Sequence, residues 1–149
     1  MANDTVPYLM PDGRYGLNID TSKSLVAADA GIVQNVVADA ITITLPTSAA
    51  ATVGATFIVR NGGVKATSGA AGTGSNGTAL VSVAVGNSSD GFSGNAMTAA
   101  TNKKLLNTKA TSVVGDEVTL VGSGVTSAAA WFTGNVKGCL LYTSDAADD

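Results

Sequence analysis

The sequence predicts an all-β protein, a compact antiparallel β-sandwich or barrel-like domain with an extended N-terminal arm and at most one short helix. Its 149 residues include 17 Val and 18 Thr against 10 Leu, and β-branched residues favour strands because they pack well on a pleated sheet. Charged residues make up 13% of the chain, about half the usual share, so small polar residues must form much of the surface. The length suits one domain with one core.

The first 23 residues are predicted to form the extended arm. Residues 6–18 hold two prolines and two glycines, which suit a segment laid across a neighbouring surface better than a helix. Arms of this kind often tie neighbouring subunits together. An alternative stays open, in which the segment is the ordinary first strand and turn of the domain. The residues expected to bind a partner are Pro7, Tyr8, Leu9, Met10, Pro11 and Tyr15.

Residues 24–138 are predicted to form a single β domain. Apolar and polar residues alternate from Ile41 to Leu45, which is the period of a half-buried strand, and Pro46 ends the strand because it cannot donate to a ladder. The Asn-Gly-Gly at residues 61–63 suits a tight hairpin turn. The predicted strands cover residues 24–37, 41–45, 55–60, 64–67, 79–85, 117–121 and 129–136, and a short helix lies within residues 96–107.

The alternation also assigns side chains to the two faces of these strands, because every second residue points the same way. The side chains predicted to line the core are Ile41, Ile43, Leu45, Phe57 and Val59. Those predicted to face away from it are Thr42, Thr44, Thr56 and Ile58. Trp131 is expected to pack in the core, and the alternative is that it serves as an interface aromatic.

The composition argues against reaction chemistry. The chain has no His, which is the usual acid or base near neutral pH and the commonest metal ligand, so we expect no enzyme and no catalytic, cofactor-binding or metal-binding residue. Residues 72–77 match the GxGxxG pattern, but no buried strand precedes them, so a loop is expected. Residues 87–91 are expected to form a turn rather than a calcium loop. Asp116 and Glu117 are expected in a solvated turn, since neighbouring strand residues point to opposite faces.

Residues 139–149, CLLYTSDAADD, differ in composition from everything before them. They resemble the translation of a transposase adapter used in sequencing libraries, so we expect a non-native tail and a natural C-terminus truncated near Gly138; the alternative is a native acidic tail. The tail holds three of the 11 acidic residues and the only cysteine, Cys139. The remaining eight acidic and eight basic residues balance, which disfavours nucleic-acid binding.

Residues 24–63 resemble a module that recurs in virion proteins of tailed bacteriophages. The module opens with Ser-Leu-Val-Ala-Ala-Asp-Ala-Gly, continues with an alternating strand closed by Leu-Pro, and ends with a strand closed by Arg-Asn-Gly. Residues 115–138 are similar to the aromatic-containing closing strands of the same proteins. Small chains that open on an extended arm look most like capsid decoration, or cement, proteins.

That resemblance implies a non-enzymatic virion subunit, made in the host cytoplasm, that decorates and stabilises the capsid surface. The implied partners are the major capsid protein and further copies of the chain in a homo-oligomer, for example a trimer. No cofactor, nucleic acid or membrane is implied, and no apolar run reaches the roughly 20 residues of a transmembrane helix. The alternative is a tail-fibre or receptor-binding β domain, because the Leu-Pro strand module also occurs in tail fibres.

Overall fold

The computed structural model describes residues 3–38, 40–63, 79–94, 97–108, 112–137 and 141–142. Within these residues the regular secondary structure is made up of strands and one 3-10 helix, Ala27–Asp29, which confirms the all-β class. The strands are β1 (Tyr8–Leu9), β2 (Tyr15–Ile19), β3 (Lys23–Ser24), β4 (Val33–Val36), β5 (Ile41–Thr44), β6 (Thr56–Asn61), β7 (Ala79–Ala84), β8 (Gly91–Gly94), β9 (Met97–Thr101), β10 (Lys104–Thr108), β11 (Glu117–Gly122), β12 (Trp131–Lys137) and β13 (Leu141–Tyr142).

The described strands form two sheets that share one core. The larger sheet has the order β1-β2-β4-β6-β11-β12-β8-β9, and the smaller has the order β13-β10-β7-β5-β3. Both sheets are mixed, which corrects the expectation of purely antiparallel ones: β2, β4 and β6 run parallel, and so do β3, β5 and β7. The cause is the path of the chain, which changes sheet after each strand from β2 to β7, so consecutive strands there are not neighbours.

The apolar core lies between the two sheets, and the predicted division of side chains is confirmed. All five predicted core side chains are buried in it: Ile41, Ile43, Leu45, Phe57 and Val59. The four predicted to face away are only half-buried: Thr42, Thr44, Thr56 and Ile58. β5 belongs to the smaller sheet and β6 to the larger, so the two alternating segments meet across the core.

Two strands, β9 and β10, replace the short helix predicted within residues 96–107, and they belong to different sheets. Asn102 lies between them with a φ of 56°, a left-handed conformation that Asn adopts more readily than most residues. β8 is a strand that is absent from the predicted set, and its Phe92 is fully buried. Burial against the core outweighs weak local preferences here.

Some predictions involve residues that lie wholly or partly outside the described ones. The strand at residues 64–67 and the loop at residues 72–77 lie outside them. Both edges of β6 are occupied, by β4 and β11, so the turn at residues 61–63 does not close a hairpin on β6. In the tail, Leu141 and Tyr142 pair with Leu106 and Leu105 of β10. The described part of the tail is therefore an edge strand of the smaller sheet.

Candidate interaction site at the N-terminal hairpin

The N-terminal segment folds into a hairpin, β1 and β2, at one edge of the larger sheet. The N–H of Gly13 donates to Met10 O (2.9 Å), and the N–H of Met10 donates to Arg14 O (2.7 Å), so Pro11 and Asp12 form the middle of a tight turn. Gly13 has a φ of 88°, the left-handed conformation that closes such a turn with a bulge. Pro-Asp-Gly favours this turn. The extended-arm prediction is thus corrected, and the alternative of a first strand and turn is the one observed.

The six residues that are predicted to bind a partner differ in their exposure in the hairpin. Tyr8 is half-buried and Met10 is 6% exposed, so both are turned towards the domain. The exposed members are Pro7, Leu9, Pro11 and Tyr15. Leu9 and Tyr15 lie directly opposite each other in the strand pair and are 62% and 56% exposed. The hairpin therefore presents two large apolar side chains side by side.

Met10 anchors the hairpin on the outer face of the larger sheet, which is the face turned away from the core. It is the only buried residue among residues 3–14. A Cβ atom at Gly16 would lie 2.6 Å from Met10 Sδ, so the thioether occupies the space that a larger residue would need. Val33 is the register partner of Gly16 and is fully buried, although it is not part of the core between the sheets.

Four polar side chains, which we call the polar row, align across the outer face. The register places Asn18, Asn35, Arg60 and Glu117 on the adjacent strands β2, β4, β6 and β11. Arg60 Nη1 donates to Asn35 Oδ1 (2.9 Å), and Asn35 Nδ2 donates to Asn18 Oδ1 (3.0 Å). The Tyr8 hydroxyl donates to the same Asn18 oxygen (2.8 Å). β1 is thereby tied to the row by a side chain as well as by its backbone.

Arg14 joins the hairpin to the far end of the polar row. Its Nη1 and Nη2 donate to the two carboxylate oxygens of Glu117 at 2.9 and 2.8 Å, and its Nε donates to Asp12 Oδ2 at 2.8 Å. We call the two hydrogen bonds from Arg14 to Glu117 the fork. Arg14 precedes β2 and Glu117 begins β11, so the fork crosses the outer face over β4 and β6. Hydrogen bonds to Glu117, and then to Asp12, raise the pKa of Arg14, and the side-chain bond from Arg14 lowers the pKa of Asp12. Such two-point charged contacts are strong and directional.

The burial of Asp116 and Glu117 corrects the prediction of a solvated turn. The two carboxylates still serve different faces, as expected for neighbouring residues. Asp116 Oδ2 accepts from Asn107 Nδ2 (2.8 Å), and Asn61 Nδ2 donates to Asn107 Oδ1 (3.1 Å). Asn61 ends β6 of the larger sheet and Asn107 belongs to β10 of the smaller one. This buried polar chain therefore links the two sheets.

A small cavity borders the buried polar chain. Its volume is about 20 Å³, and Asn61, Asn107 and Asp116 line it together with apolar core side chains. That volume holds about one water molecule. It is far below the roughly 300 Å³ at which pockets for small molecules begin.

β12 places two neighbouring aromatic residues on opposite faces of the larger sheet. Trp131 is fully buried and packs edge-to-face on Phe57, with 5.6 Å between ring centroids and an angle of 73° between planes. The core assignment of Trp131 is therefore the one observed, and its alternative assignment as an interface aromatic is corrected. Phe132 is 53% exposed. The alternation of side chains along a strand places neighbouring residues on opposite faces, but it does not determine which of the two rings is buried.

Residues 87–90 form a turn, as the sequence predicts, and Gly91 then begins β8. Ser89 N–H donates to Asn87 Oδ1 (2.9 Å), which is a common way for Asn to stabilise a turn. Asp90 is fully buried, and its Oδ2 accepts from Ser48 N–H (2.9 Å). The Ser48 hydroxyl donates in turn to Ala130 O (3.1 Å). These bonds tie together the connections that precede β6, β8 and β12.

Neither a metal site within the described residues nor a matching protein was found. Among the residues that the structure describes, no group of three or more His, Cys, Asp or Glu could hold a metal ion. Within the same part of the chain, no helix has the length and apolar character needed to cross a bilayer. No protein-family model and no curated protein matches the sequence.

Proposed function

We propose that the chain is a non-enzymatic structural subunit of a tailed-bacteriophage virion, where it decorates and stabilises the capsid surface. Its partners are the major capsid protein and further copies of the chain. The observation that carries the proposal is the pair formed by Leu9 and Tyr15, two large apolar side chains that lie opposite each other and are more than half exposed. The resemblance of residues 24–63 to a virion module suggests the class of partner.

The hairpin suits attachment because the domain already holds it in one shape. The burial of Met10, the Tyr8 hydrogen bond to Asn18 and the fork between Arg14 and Glu117 fix its position. A site that is ordered before docking loses less conformational entropy when it binds. Tyrosine also brings rigid apolar area with a polar tip to an interface.

Further exposed apolar side chains offer surface for contacts between copies. They include Val53, Val113, Val114, Val125 and Phe132. In a lattice, such side chains become buried against neighbouring subunits. Attachment through uncharged side chains should also depend weakly on salt, because ionic screening acts on charges.

The test uses tailed-phage capsids assembled without this chain. Purified chain is added, the capsids are pelleted, and the bound protein is quantified. Replacing both apolar side chains, Leu9→Ser with Tyr15→Ser, should reduce occupancy by at least about tenfold, because two buried anchors are lost. The matched control Val26→Ser removes a side chain of similar exposure elsewhere and should bind like the unmodified chain.

Two further measurements complete this experiment: the salt dependence of capsid occupancy and the folding of the double variant. Raising the salt concentration from about 0.1 M to about 1 M should change occupancy by less than about twofold. Added salt shortens the Debye length, but the proposed interface has no charges for it to screen. Unchanged occupancy of the folded double variant contradicts attachment through the hairpin. That result would favour the tail-fibre alternative.

A further inference from the structure

The outer edge of β2 is covered by the chain's own first residues. Asp4 N–H donates to Asn18 O (3.0 Å), and Asn18 N–H donates back to Asp4 Oδ2 (3.1 Å). Asn3 Oδ1 accepts from Asp20 N–H (2.8 Å). With the pairing of β1 on β2, these contacts follow the whole length of the strand. Residues 3–9 therefore pair with the outer edge of β2 in the way that a bound partner peptide adds a strand to a sheet.

Residues 3–9 bury little apolar surface of their own, and Met10, the next residue, is the one buried side chain that holds them. None of them is fully buried, and Val6 is 76% exposed. The turn that follows, residues 11–13, is exposed throughout, so it can open without uncovering the core. Beyond the turn, Arg14 is fixed to Glu117. Residues 3–10, which are held by hydrogen bonds and by the single buried side chain of Met10, are thus joined by an exposed hinge to a firmly anchored strand.

We propose that the edge of β2 is a strand-acceptor site that a second copy of this chain can occupy with its own residues 3–10, so that the segment exchanges between subunits. The contacts specify this occupant, because a second copy carries the same Asn3, Asp4 and Tyr8 that the edge already binds. Each contact within a chain is replaced by the same contact between chains, and the main change is the opening of the turn. The exchange needs only copies of this chain and is independent of any capsid.

A disulfide trap tests the exchange with full-length chains. One chain carries Leu9→Cys and the other Tyr15→Cys, each with Cys139→Ser so that it has a single thiol. These positions are directly opposed in an antiparallel pair, within the reach of a disulfide. After mixing and mild oxidation, the heterodimer should exceed that of a control mixture, Leu9→Cys with Val26→Cys, by at least about tenfold, because exchange raises the effective concentration of the two thiols.

A single chain with Leu9→Cys, Tyr15→Cys and Cys139→Ser checks the geometry. It should close its disulfide internally and then stay monomeric, because a closed hairpin cannot donate its first strand. A heterodimer yield equal to that of the control mixture overturns the exchange. Failure of the double variant to close internally overturns it as well. Neither readout involves a capsid, so each is separate from the attachment test.

Discussion

The two faces of the larger sheet come from the same strands but depend on different interactions. On the inner face, Leu17, Val36 and Val118 are buried in the core, where apolar contact is non-directional and tolerates exchange among side chains of similar size. On the outer face, the polar row and the fork between Arg14 and Glu117 depend on hydrogen bonds of defined direction. The inner face should therefore set the stability of the domain, and the outer face the position of the hairpin.

The largest expected effect tests which aromatic residue of β12 belongs to the inner face. Trp131→Ala should lower the free energy of unfolding by about 3 to 5 kcal/mol, because it removes a fully buried ring and leaves a cavity. Phe132→Ala should cost less than about 1 kcal/mol, since that ring is half exposed. Urea denaturation measures both. Similar costs for the two variants would contradict the assignment of faces.

The next test sharpens the comparison within the smaller sheet. Ile43→Ala should lower the free energy of unfolding by about 2 to 5 kcal/mol. Thr42→Ala, one residue earlier and on the opposite face, should change it by less than about 0.5 kcal/mol. The same denaturation experiment applies. The reverse ranking would mean that the register is displaced by one residue.

A smaller effect is expected on the outer face. Arg14→Ala leaves the buried carboxylate of Glu117 without its fork and should cost about 1 to 3 kcal/mol of unfolding free energy. The control Asp12→Asn removes an exposed contact of the same guanidinium and should cost clearly less than Arg14→Ala, because solvent screens exposed charges. Equal costs would show that Glu117 finds solvent or another partner.

The contact between Asp12 and Arg14 also makes the stability of the chain depend on pH in a defined direction. Because the hydrogen bond from Arg14 lowers the pKa of Asp12 in the folded chain, its contribution is present above the usual Asp pKa and is lost as the pH falls through the lowered one. The difference in stability between the unmodified chain and Asp12→Asn should therefore vanish in acid. Denaturation at a series of pH values measures it.

The smallest effect is expected for the tail. A chain that ends at Gly138 loses the pairing of β13, two residues at the edge of the smaller sheet, and should lose less than about 1 kcal/mol of unfolding free energy. Thermal and urea denaturation of the two chain lengths measure the difference. A larger loss would mean that the tail stabilises the domain by more than the pairing of this short edge strand.

The alternation of apolar and polar residues along the strands accounts for the part of the fold that could be predicted. In β5 and β6 the alternation assigns Ile43 and Phe57 to one side and Thr42 to the other, and both strands follow it. The pattern reports the face of a side chain and is silent on which strands are neighbours. The parallel arrangement of β2, β4 and β6 therefore could not be predicted from it.

The candidate site was less predictable, for two reasons. The Pro-Asp-Gly at residues 11–13 carries a clear turn signal, but prolines and glycines also suit an extended arm, and composition alone does not separate the two. The fork between Arg14 and Glu117 joins residues 103 positions apart in sequence. No local pattern identifies such a pair, because its existence depends on the order of strands in the sheet.

The buried polar chain of Asn61, Asn107 and Asp116 has a consequence for how the two sheets align. A core rich in Val, Leu and Ile presents similar surfaces at successive positions, so one sheet could slide along the other by two residues, about 7 Å, and still bury apolar area. The amide of Asn61 meets that of Asn107 at only one such position, and any shift would leave buried polar groups without partners. One hydrogen-bonded contact thereby selects a single alignment among several that the apolar side chains alone would accept.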